Sequence, residues 1–196
     1  MASSADADEL MWFDPDPRGI LPLESFHIPR RLRRVVRSER FEVRSDFDFE
    51  AVIRECAATT ELRRETWINA QILSLYCDLH RLGLAHSVEC WRQGRLVGGL
   101  YGVSLGGVFF GESMFSRETD ASKVALTHLV ARLRAAGYRM LDAQYVTSHL
   151  ARFGAVAIPR EEYHRCLEEA LTYKTNFRDV DMDAALTALW ESVSVD

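Results

Sequence analysis

The sequence lacks any long apolar run and any basic start. No stretch approaches the length of a membrane-spanning helix, and residues 1–9 are acidic. A secretory signal would instead begin with a basic segment followed by an apolar one. We therefore expect a cytoplasmic protein that does not bind membranes.

Cysteine is scarce and scattered along the chain. The four cysteines form no C-x-x-C pair, which leaves little support for a zinc site or a redox motif. Their neighbours are apolar or lie in helical patterns, so we expect free thiols in or near the core. These residues are Cys56, Cys77, Cys90 and Cys166.

Lysine is nearly absent, because Lys123 and Lys174 are the only two among 24 basic residues. The net charge of −5 argues against a surface that binds polyanions everywhere. Arginine is nevertheless concentrated in residues 30–40, where Glu39 is the only acid. The arginines of this segment are Arg30, Arg31, Arg33, Arg34, Arg37 and Arg40. Arginine forks suit phosphates, although charge alone slightly favours a solvated face over RNA binding.

The 196 residues, 47% of them hydrophobic, are enough for one domain or for one domain with a small appendage. Periodicity predicts a strand, two helices, a three-strand meander over 86–113, a long helix, a strand and a helix. Either Asp46 or Asp48 is expected to cap the first of the two helices, and Thr66 the second. Asp120 is expected to cap the long helix.

This order resembles the GNAT acyltransferase fold, an α/β (α+β) architecture with a mixed sheet and flanking helices. Members of that group that use acetyl-CoA hold its pyrophosphate on a glycine-rich loop before the long helix. Here the corresponding residues, 117–122, contain no glycine and two acids. We therefore expect no bound CoA.

One strand of the meander carries a carboxylate. Val108 and Phe109 are β-prone, but Glu112 follows within the same strand. An unpaired buried carboxylate would cost several kcal/mol, so Glu112 must reach a cleft, a partner or solvent. Strict alternation points Phe109 and Glu112 to opposite faces, and we predict a β-bulge at Gly111 that brings both to one cleft.

Asp142 and Gln144 lie two residues apart in the next predicted strand, 138–145, so their side chains are expected on one face. This spacing lets Asp142 fix the amide of Gln144. His149, near a predicted helix start beside that strand, is a secondary candidate base that more often would brace the helix.

Several blocks of the sequence together resemble the leucyl/phenylalanyl-tRNA–protein transferases. The similarity runs from about residue 12 to 171, and the Gly-Glu-Ser-Met-Phe-Ser block is highly specific. The blocks are Trp12-x-Asp-Pro-x-Pro-Arg-Gly19, His27-Ile-Pro-Arg30, Gly98-Gly-Leu-Tyr-Gly-Val103, Phe110-Gly-Glu-Ser-Met-Phe-Ser-Arg117, Ala121-Ser-Lys123, Asp142-Ala-Gln144 and His149-Leu-Ala-Arg-Phe-Gly154.

The resemblance implies an enzyme that moves Leu or Phe (also Met) from aminoacyl-tRNA to the N-terminal Arg or Lys of a protein. The product would enter the bacterial N-degron pathway. The ester of aminoacyl-tRNA is already activated, so no cofactor and no metal are expected. A monomer is expected, with aminoacyl-tRNA and acceptor proteins as partners.

The resemblance also assigns site residues. Asp142, Gln144 and Glu112 form the catalytic group, and in the resembled family the Asp–Gln pair is proposed as an electron or proton relay. Glutamine is not a base in the usual sense, so we expect Gln144 to position the attacking amine, with the 2′-hydroxyl of the tRNA as a candidate proton shuttle. Glu112 is expected to hold the substrate amine or the terminal ribose. A strand-end Asp–Gln hydrogen bond and a salt bridge from Glu112 to Arg117 are the structural alternatives.

The residues expected around the aminoacyl side chain are Leu100, Phe109, Met114 and Leu129, although core packing explains Leu100 and Leu129 more simply. Trp12 and Trp67 are expected to stack on or brace the terminal adenosine, with helix packing an equal alternative for Trp67. The expected phosphate contacts are Arg18, Arg30, Arg31, Arg33, Arg34 and Arg37. Acceptor selection has Glu112, Glu118 and Asp120 as candidates.

The expected domain organisation has three parts: a short N-terminal subdomain over 1–45, the GNAT-like domain over 46–171, and a tail over 172–196. The family normally has a segment ahead of Trp12, with its own Gly-Gly-Asp stretch and Phe-Pro motif, so the N-terminal subdomain is expected to be incomplete. Two other functions stay open. They are an aminoacyl-tRNA-dependent ligase acting on a peptidoglycan precursor, and a non-catalytic module that binds aminoacyl-tRNA or protein N-termini.

Overall fold

The computed structural model describes residues 12–59 and 66–192, which build one seven-stranded mixed sheet with helices on both faces. The strands are β1 (Arg18–Leu21), β2 (Glu42–Ser45), β3 (Ala85–Arg92), β4 (Arg95–Leu105), β5 (Val108–Ser116), β6 (Met140–Gln144) and β7 (Val156–Ile158). The helices are α1 (Arg30–Arg37), α2 (Phe49–Ala57), α3 (Ala70–Arg81), α4 (Ala121–Ala135), α5 (Ser148–Ala151), α6 (Arg160–Leu171) and α7 (Met182–Ser192).

The strands lie in the order β2-β3-β4-β5-β6-β1-β7. β3, β4 and β5 form the antiparallel meander, and β5 pairs with β6 in parallel. A parallel pair needs a long crossover, which α4 supplies. The predicted α/β class and the element order behind the GNAT-like prediction are therefore confirmed.

The two faces of the sheet carry separate apolar cores, as alternation along β4 shows. Leu100 belongs to a core with α1, α4 and α7, whereas its neighbour Tyr101 belongs to a core with α2 and α3. Successive side chains of a strand point to opposite faces. Sites formed on these two faces are thus separated by the sheet itself.

The predicted β-bulge is present in β5. Tyr101 pairs with Ser113 and Gly102 pairs with Gly111, so Glu112 is the extra residue between them. Gly102 makes the close approach possible. A Cβ at this position would lie 2.2 Å from the carbonyl oxygen of Phe110.

Helix starts follow the sequence signals in one case and depart from them in two. Asp48 caps α2, as its carboxylate accepts from the Ala51 N–H at 3.0 Å. Thr66 was the wrong cap for α3, because the helix begins at Ala70 and Asn69 makes the capping bond to the Ile72 N–H. Asp120 does precede α4, but it is left-handed and makes no capping bond.

Three elements give no clear signal in the sequence: β1, β7 and α7. β1 inserts between β6 and β7, and α7 packs on α4 with Ala185 and Leu189 buried. The predicted boundaries at 45 and 171 stay predictions. The sheet contains strands from the first two predicted parts, and one core contains residues from all three.

Three of the four cysteines are buried, as expected. Cys166 is free but exposed, because its position on α6 faces away from the core. Within residues 12–59 and 66–192, no helix is long and apolar enough to cross a membrane.

We expect Gly102→Ala to destabilise the protein, because the new methyl group would also lie 2.4 Å from the Phe109 ring. Overpacking of this kind costs about 1–3 kcal/mol of unfolding free energy, measurable as a lower urea midpoint. Gly111→Ala is the matched control. Its Cβ would meet nothing closer than 3.3 Å. Equal midpoints for the two variants would contradict the close packing under the bulge.

Candidate active site

The site lies where β5 and β6 stop pairing. Their parallel register runs from Val108 opposite Met140 to Phe110 opposite Asp142, and then ends. Open α/β sheets bind ligands beyond the carboxyl ends of parallel strands. Glu112 and Gln144, each two residues beyond the last pair, lie at this opening.

An apolar cavity of about 310 Å³ opens on one side of the gap, a size suited to a small ligand. Its polar lining includes Glu112, Ser113, Gln144, Tyr145, Thr147 and His149, with Asp142 beneath. Its apolar lining includes Leu21, Leu100, Met114, Leu126, Leu129, Leu141 and Leu150.

A second cavity, of about 380 Å³, adjoins the first and is mainly aromatic. Glu112, Gln144 and Tyr145 line both cavities. The other residues around the aromatic cavity are Trp12, Phe13, Pro15, Arg18, Trp67, Tyr76 and Phe110. An aromatic cavity of this kind suits a stacked base.

Asp142 is completely buried beneath the junction of the two cavities, and four donors satisfy it. Arg18 binds it with both arms of its fork, Nε at 3.1 Å and Nη2 at 2.6 Å. The Tyr163 hydroxyl donates at 2.8 Å, and so does the Gln144 backbone N–H. A buried charge of this kind is tolerated only when it is paired and hydrogen-bonded.

The contact between Asp142 and Gln144 corrects the predicted one. Asp142 holds the backbone N–H of Gln144, whereas the spacing in sequence favoured a contact with the side-chain amide. Gln144 has a φ of 56°, a left-handed conformation that costs energy in a residue other than glycine. Strand alternation ends at this residue, so the alternation argument no longer applies to its side chain.

Arg18 also differs from its prediction. Only 11% of its side chain is exposed, and its guanidinium lies 4.7 Å from the centre of the Tyr163 ring. Because Asp142 occupies its fork, Arg18 is not free to bind a tRNA phosphate. Sequence reasoning missed Tyr163 as a site residue. The available signal was a buried tyrosine on the apolar stripe of α6, whose hydroxyl would need a partner.

Glu112 occupies the bulge between the two cavities. Burial raises the pKa of Glu112 to about 7, against a hydrogen bond from Tyr76 that lowers it. The predicted alternative of a salt bridge to Arg117 is wrong, because Arg117 pairs with Glu55 at 2.6 Å.

Three of the four residues predicted to surround the aminoacyl side chain line one cavity, and the fourth does not. Leu100, Met114 and Leu129 line the apolar cavity. Phe109 does not, and it is 0% exposed and stacked on Phe177 in the core. The bulge lies beyond Phe109 along the strand, so it redirects Glu112 alone.

Both predicted tryptophans line the aromatic cavity. Trp12 is 96% exposed at its rim, and Trp67 is partly buried against the core of α2 and α3. Trp67 therefore packs on the core, as its structural alternative predicted, and it also lines the aromatic cavity. Its contact with the adenosine stays a prediction.

The arginines of α1 lie apart from the cavities. Among the described residues, no α1 side chain lines either cavity. Arg33 and Arg37 lie over the Trp190 ring at 5.3 and 5.4 Å. Arg30, Arg31 and Arg34 are exposed.

The acids considered for acceptor selection are mostly occupied. Glu118 pairs with Arg40 and Arg92, and Asp120 with Lys123 and the 82% exposed Arg31. Neither lines the two cavities, so Glu112 is the member of that group at the site.

His149 lines the apolar cavity but not the aromatic one. Its Nε2 is buried and has no hydrogen-bond partner within the described part of the chain. Burial, and then the charges of Lys123 and Arg152, lower the pKa of His149. Residues 12–59 and 66–192 contain no cluster of His, Cys, Asp and Glu able to hold a metal ion.

Comparison with solved structures gives a GCN5-related N-acetyltransferase-like protein from Streptococcus suis. The TM-score is 0.36 at 18% identity, over 71% of this chain and 57% of that one. A likeness this weak carries no argument.

Comparison of sequences is far more informative. Proteins named leucyl/phenylalanyl-tRNA–protein transferase match from Paramagnetospirillum magneticum, with 58% identity over 97% of this chain and 89% of that protein, and from Phenylobacterium zucineum, with 59% over 90% and 80%. The family model described as leucyl/phenylalanyl-tRNA protein transferase matches residues 20–168. The chain therefore belongs to the leucyl/phenylalanyl-tRNA–protein transferase family.

Proposed function

We propose that this protein transfers leucine or phenylalanine from aminoacyl-tRNA to the N-terminal Arg or Lys of acceptor proteins. The observation that carries the proposal is the meeting of an apolar and an aromatic cavity at Glu112 and Gln144. An aminoacyl adenosine has the same two parts, an apolar side chain and a base, joined at the reacting ester. Its product would carry a new N-terminal Leu or Phe, the mark of the bacterial N-degron pathway.

The apolar cavity receives the amino-acid side chain. Leu100 and Leu129 form rigid, buried walls, and the partly buried Met114 supplies an adaptable one. Unbranched and γ-branched side chains fit such a cavity, whereas β-branched Ile and Val are disfavoured by shape.

The aromatic cavity receives the terminal adenosine. Stacking on an aromatic side chain contributes about 1–3 kcal/mol per base and tolerates any base. Trp12 and Trp67 both line this cavity, which supports a stacking role for them. The exposed Arg30, Arg31 and Arg34 of α1 are the residues left to contact acceptor-stem phosphates.

The reaction is aminolysis of an ester, and the protein contributes mainly position. Correct placement of two reactants supplies on the order of 7–11 kcal/mol. Asp142 is a positioning residue, because its bond to the Gln144 backbone fixes where the Gln144 amide can meet the attacking amine. Arg18 and Tyr163 hold Asp142 itself.

Transfer is tested with Leu-tRNA or Phe-tRNA radiolabelled in the amino acid and a peptide that begins with Arg. We expect the label to move to this peptide and not to the same peptide with an acetylated N-terminus. Labelling of a peptidoglycan precursor instead would indicate the ligase alternative. Binding of the charged tRNA without transfer would indicate the non-catalytic module.

We predict that Asp142→Ala abolishes transfer. It leaves the Arg18 guanidinium buried without its partner and frees the Gln144 backbone, and such a change costs about 3–5 kcal/mol of stability. Tyr163→Phe separates the two effects, because it removes one hydroxyl and costs on the order of 1 kcal/mol. We expect this milder variant to fold and to lose several-fold in kcat with little change in the KM for tRNA. Wild-type single-turnover rates in both variants would contradict a positioning role for Asp142.

We predict that replacing Arg30, Arg31 and Arg34 together by Gln weakens tRNA binding and flattens its dependence on salt. Each lost phosphate contact reduces the slope of log K against log salt by about 0.7–0.9. Binding is measured by fluorescence anisotropy from low to moderate salt. Arg95→Gln, an exposed arginine at the start of β4, is the matched control. An unchanged slope in the triple variant would remove α1 from the tRNA interface.

A further inference from the structure

We infer that Glu112 is the base that takes the proton from the attacking α-amine. This inference rests on the proposed aminoacyl transfer and deepens it. It assigns the proton acceptor to the bulge of β5 and leaves Asp142 and Gln144 the work of positioning.

The location of the ester limits the candidates. The aminoacyl side chain and the adenosine lie in different cavities, so the carbonyl between them lies at the junction of the two cavities. Glu112, Gln144 and Tyr145 line both. An amide is no base, and a phenol is a far weaker proton acceptor than a carboxylate. Glu112 is therefore the carboxylate within reach of the carbonyl.

Asp142 cannot serve as this base, although it lies close by. Both of its oxygens are occupied by the bidentate Arg18, the Tyr163 hydroxyl and the Gln144 N–H. Accepting a proton would break a buried ion pair, and such breaks cost about 3–5 kcal/mol. His149 lines the apolar cavity only, away from the junction.

The surroundings of Glu112 suit a base. The groups that face it are Tyr76 of α3, Tyr101 of β4, Asp142 of β6 and Arg18 of β1. Tyr76 donates a hydrogen bond to it. Burial holds the pKa of Glu112 at about 7, close to the 7.7–8.0 of an α-amine. General bases work best when their pKa lies near the operating pH.

The step balances with no further reactant. The neutral α-amine attacks the ester carbonyl, a C–N bond forms, and the amine proton passes to the Glu112 carboxylate. The bond from the carbonyl carbon to the tRNA 3′ oxygen then breaks, and the proton on Glu112 passes to that oxygen. The products are an amide and a free 3′-hydroxyl, and Glu112 is again ionised.

The test compares the wild type with Glu112→Gln over pH 5.5–8.5 in single-turnover transfer from Phe-tRNA to an Arg peptide. General-base catalysis contributes about 10²–10⁴-fold, so we expect at least a 100-fold lower rate in the variant above pH 8. Dividing the wild-type rate by the variant rate removes the pH dependence that both share, which comes from ionisation of the substrate amine. We expect this ratio to fall about tenfold per pH unit below pH 7, where Glu112 is protonated.

A second donor separates proton transfer from binding of the donor's own amine. It is the same tRNA acylated with 3-phenylpropanoate, which lacks an α-amine. We expect Glu112→Gln to lose as much activity with this donor as with Phe-tRNA. If the loss disappears, Glu112 binds the donor amine and the inference is overturned.

Two controls complete the design. Glu55→Gln makes the same chemical change at the ion pair with Arg117, outside both cavities, and is expected to transfer at the wild-type rate. The raised pKa of Glu112 means that stability falls as pH rises from about 4.5 to 7. At pH 8, Glu112→Gln is therefore expected to have a Tm at least as high as the wild type.

The remaining outcomes are distinguishable. The inference is overturned if the ratio of the wild-type rate to the Glu112→Gln rate does not change with pH. It is also overturned if the pH dependence is found in the ratio of the wild-type rate to the His149→Asn rate instead. Absence of transfer by the wild type from either Leu-tRNA or Phe-tRNA would overturn the proposed function itself.

Discussion

The buried ion pair between Arg18 and Asp142 is the interaction on which the site depends. A carboxylate that is 0% exposed is destabilising by several kcal/mol unless donors surround it. Meeting that requirement brings β1 beside β6 and ties Tyr163 of α6 to the same carboxylate. The four-residue strand β1 is thus held in the sheet by its backbone hydrogen bonds and by the ion pair of Arg18 with Asp142.

Three carboxylates of the sheet, the fully buried Glu89 and Asp142 and the partly buried Glu112, show how a functional group differs from a structural one. Glu89 is satisfied by the N–H groups of Phe47 and Asp48, the Ser87 hydroxyl and the Trp91 indole. Asp142 is equally satisfied. At Glu112, by contrast, burial outweighs the hydrogen bond from Tyr76 and raises the pKa. A carboxylate left in this condition beside a cavity is characteristic of a functional site.

The sequence was most informative in β5, where strand alternation and the need of Glu112 to reach a cleft predict different directions for its side chain. The clash between alternation and the placement of Glu112 predicted the bulge, and the bulge is there. Phe109 could not be placed by the same reasoning, because its packing on Phe177 depends on a tail segment with little periodicity. Thr66 and Asn69 are both capping residues by type, and only the structure shows that Asn69 begins α3.

Arg18 and Tyr163 show a second limit. Motif and composition grouped Arg18 with the surface arginines, since nothing local distinguishes a buried guanidinium from an exposed one. The partners of Asp142 lie 124 and 21 residues away along the chain, so the network forms only through tertiary contacts. Short-range patterns thus predict which strand carries the site, whereas long-range contacts determine what each side chain does there.

The parting of β5 and β6 explains why this fold suits a two-part substrate. Leu100 and Tyr101 show that the sheet separates two different cores. The apolar cavity draws most of its walls from one core, and Trp67 and Tyr76 of the aromatic cavity pack against the other. Beyond Phe110 and Asp142 the strands no longer pair, so an ester can pass between the two cavities at that point.

Glu112 and Gln144 lie at the crossing because a bulge and a left-handed residue end the regular strands there. The left-handed Gln144 and the bulge at Glu112 therefore lie at the proposed reaction centre, because both lie where β5 and β6 stop pairing.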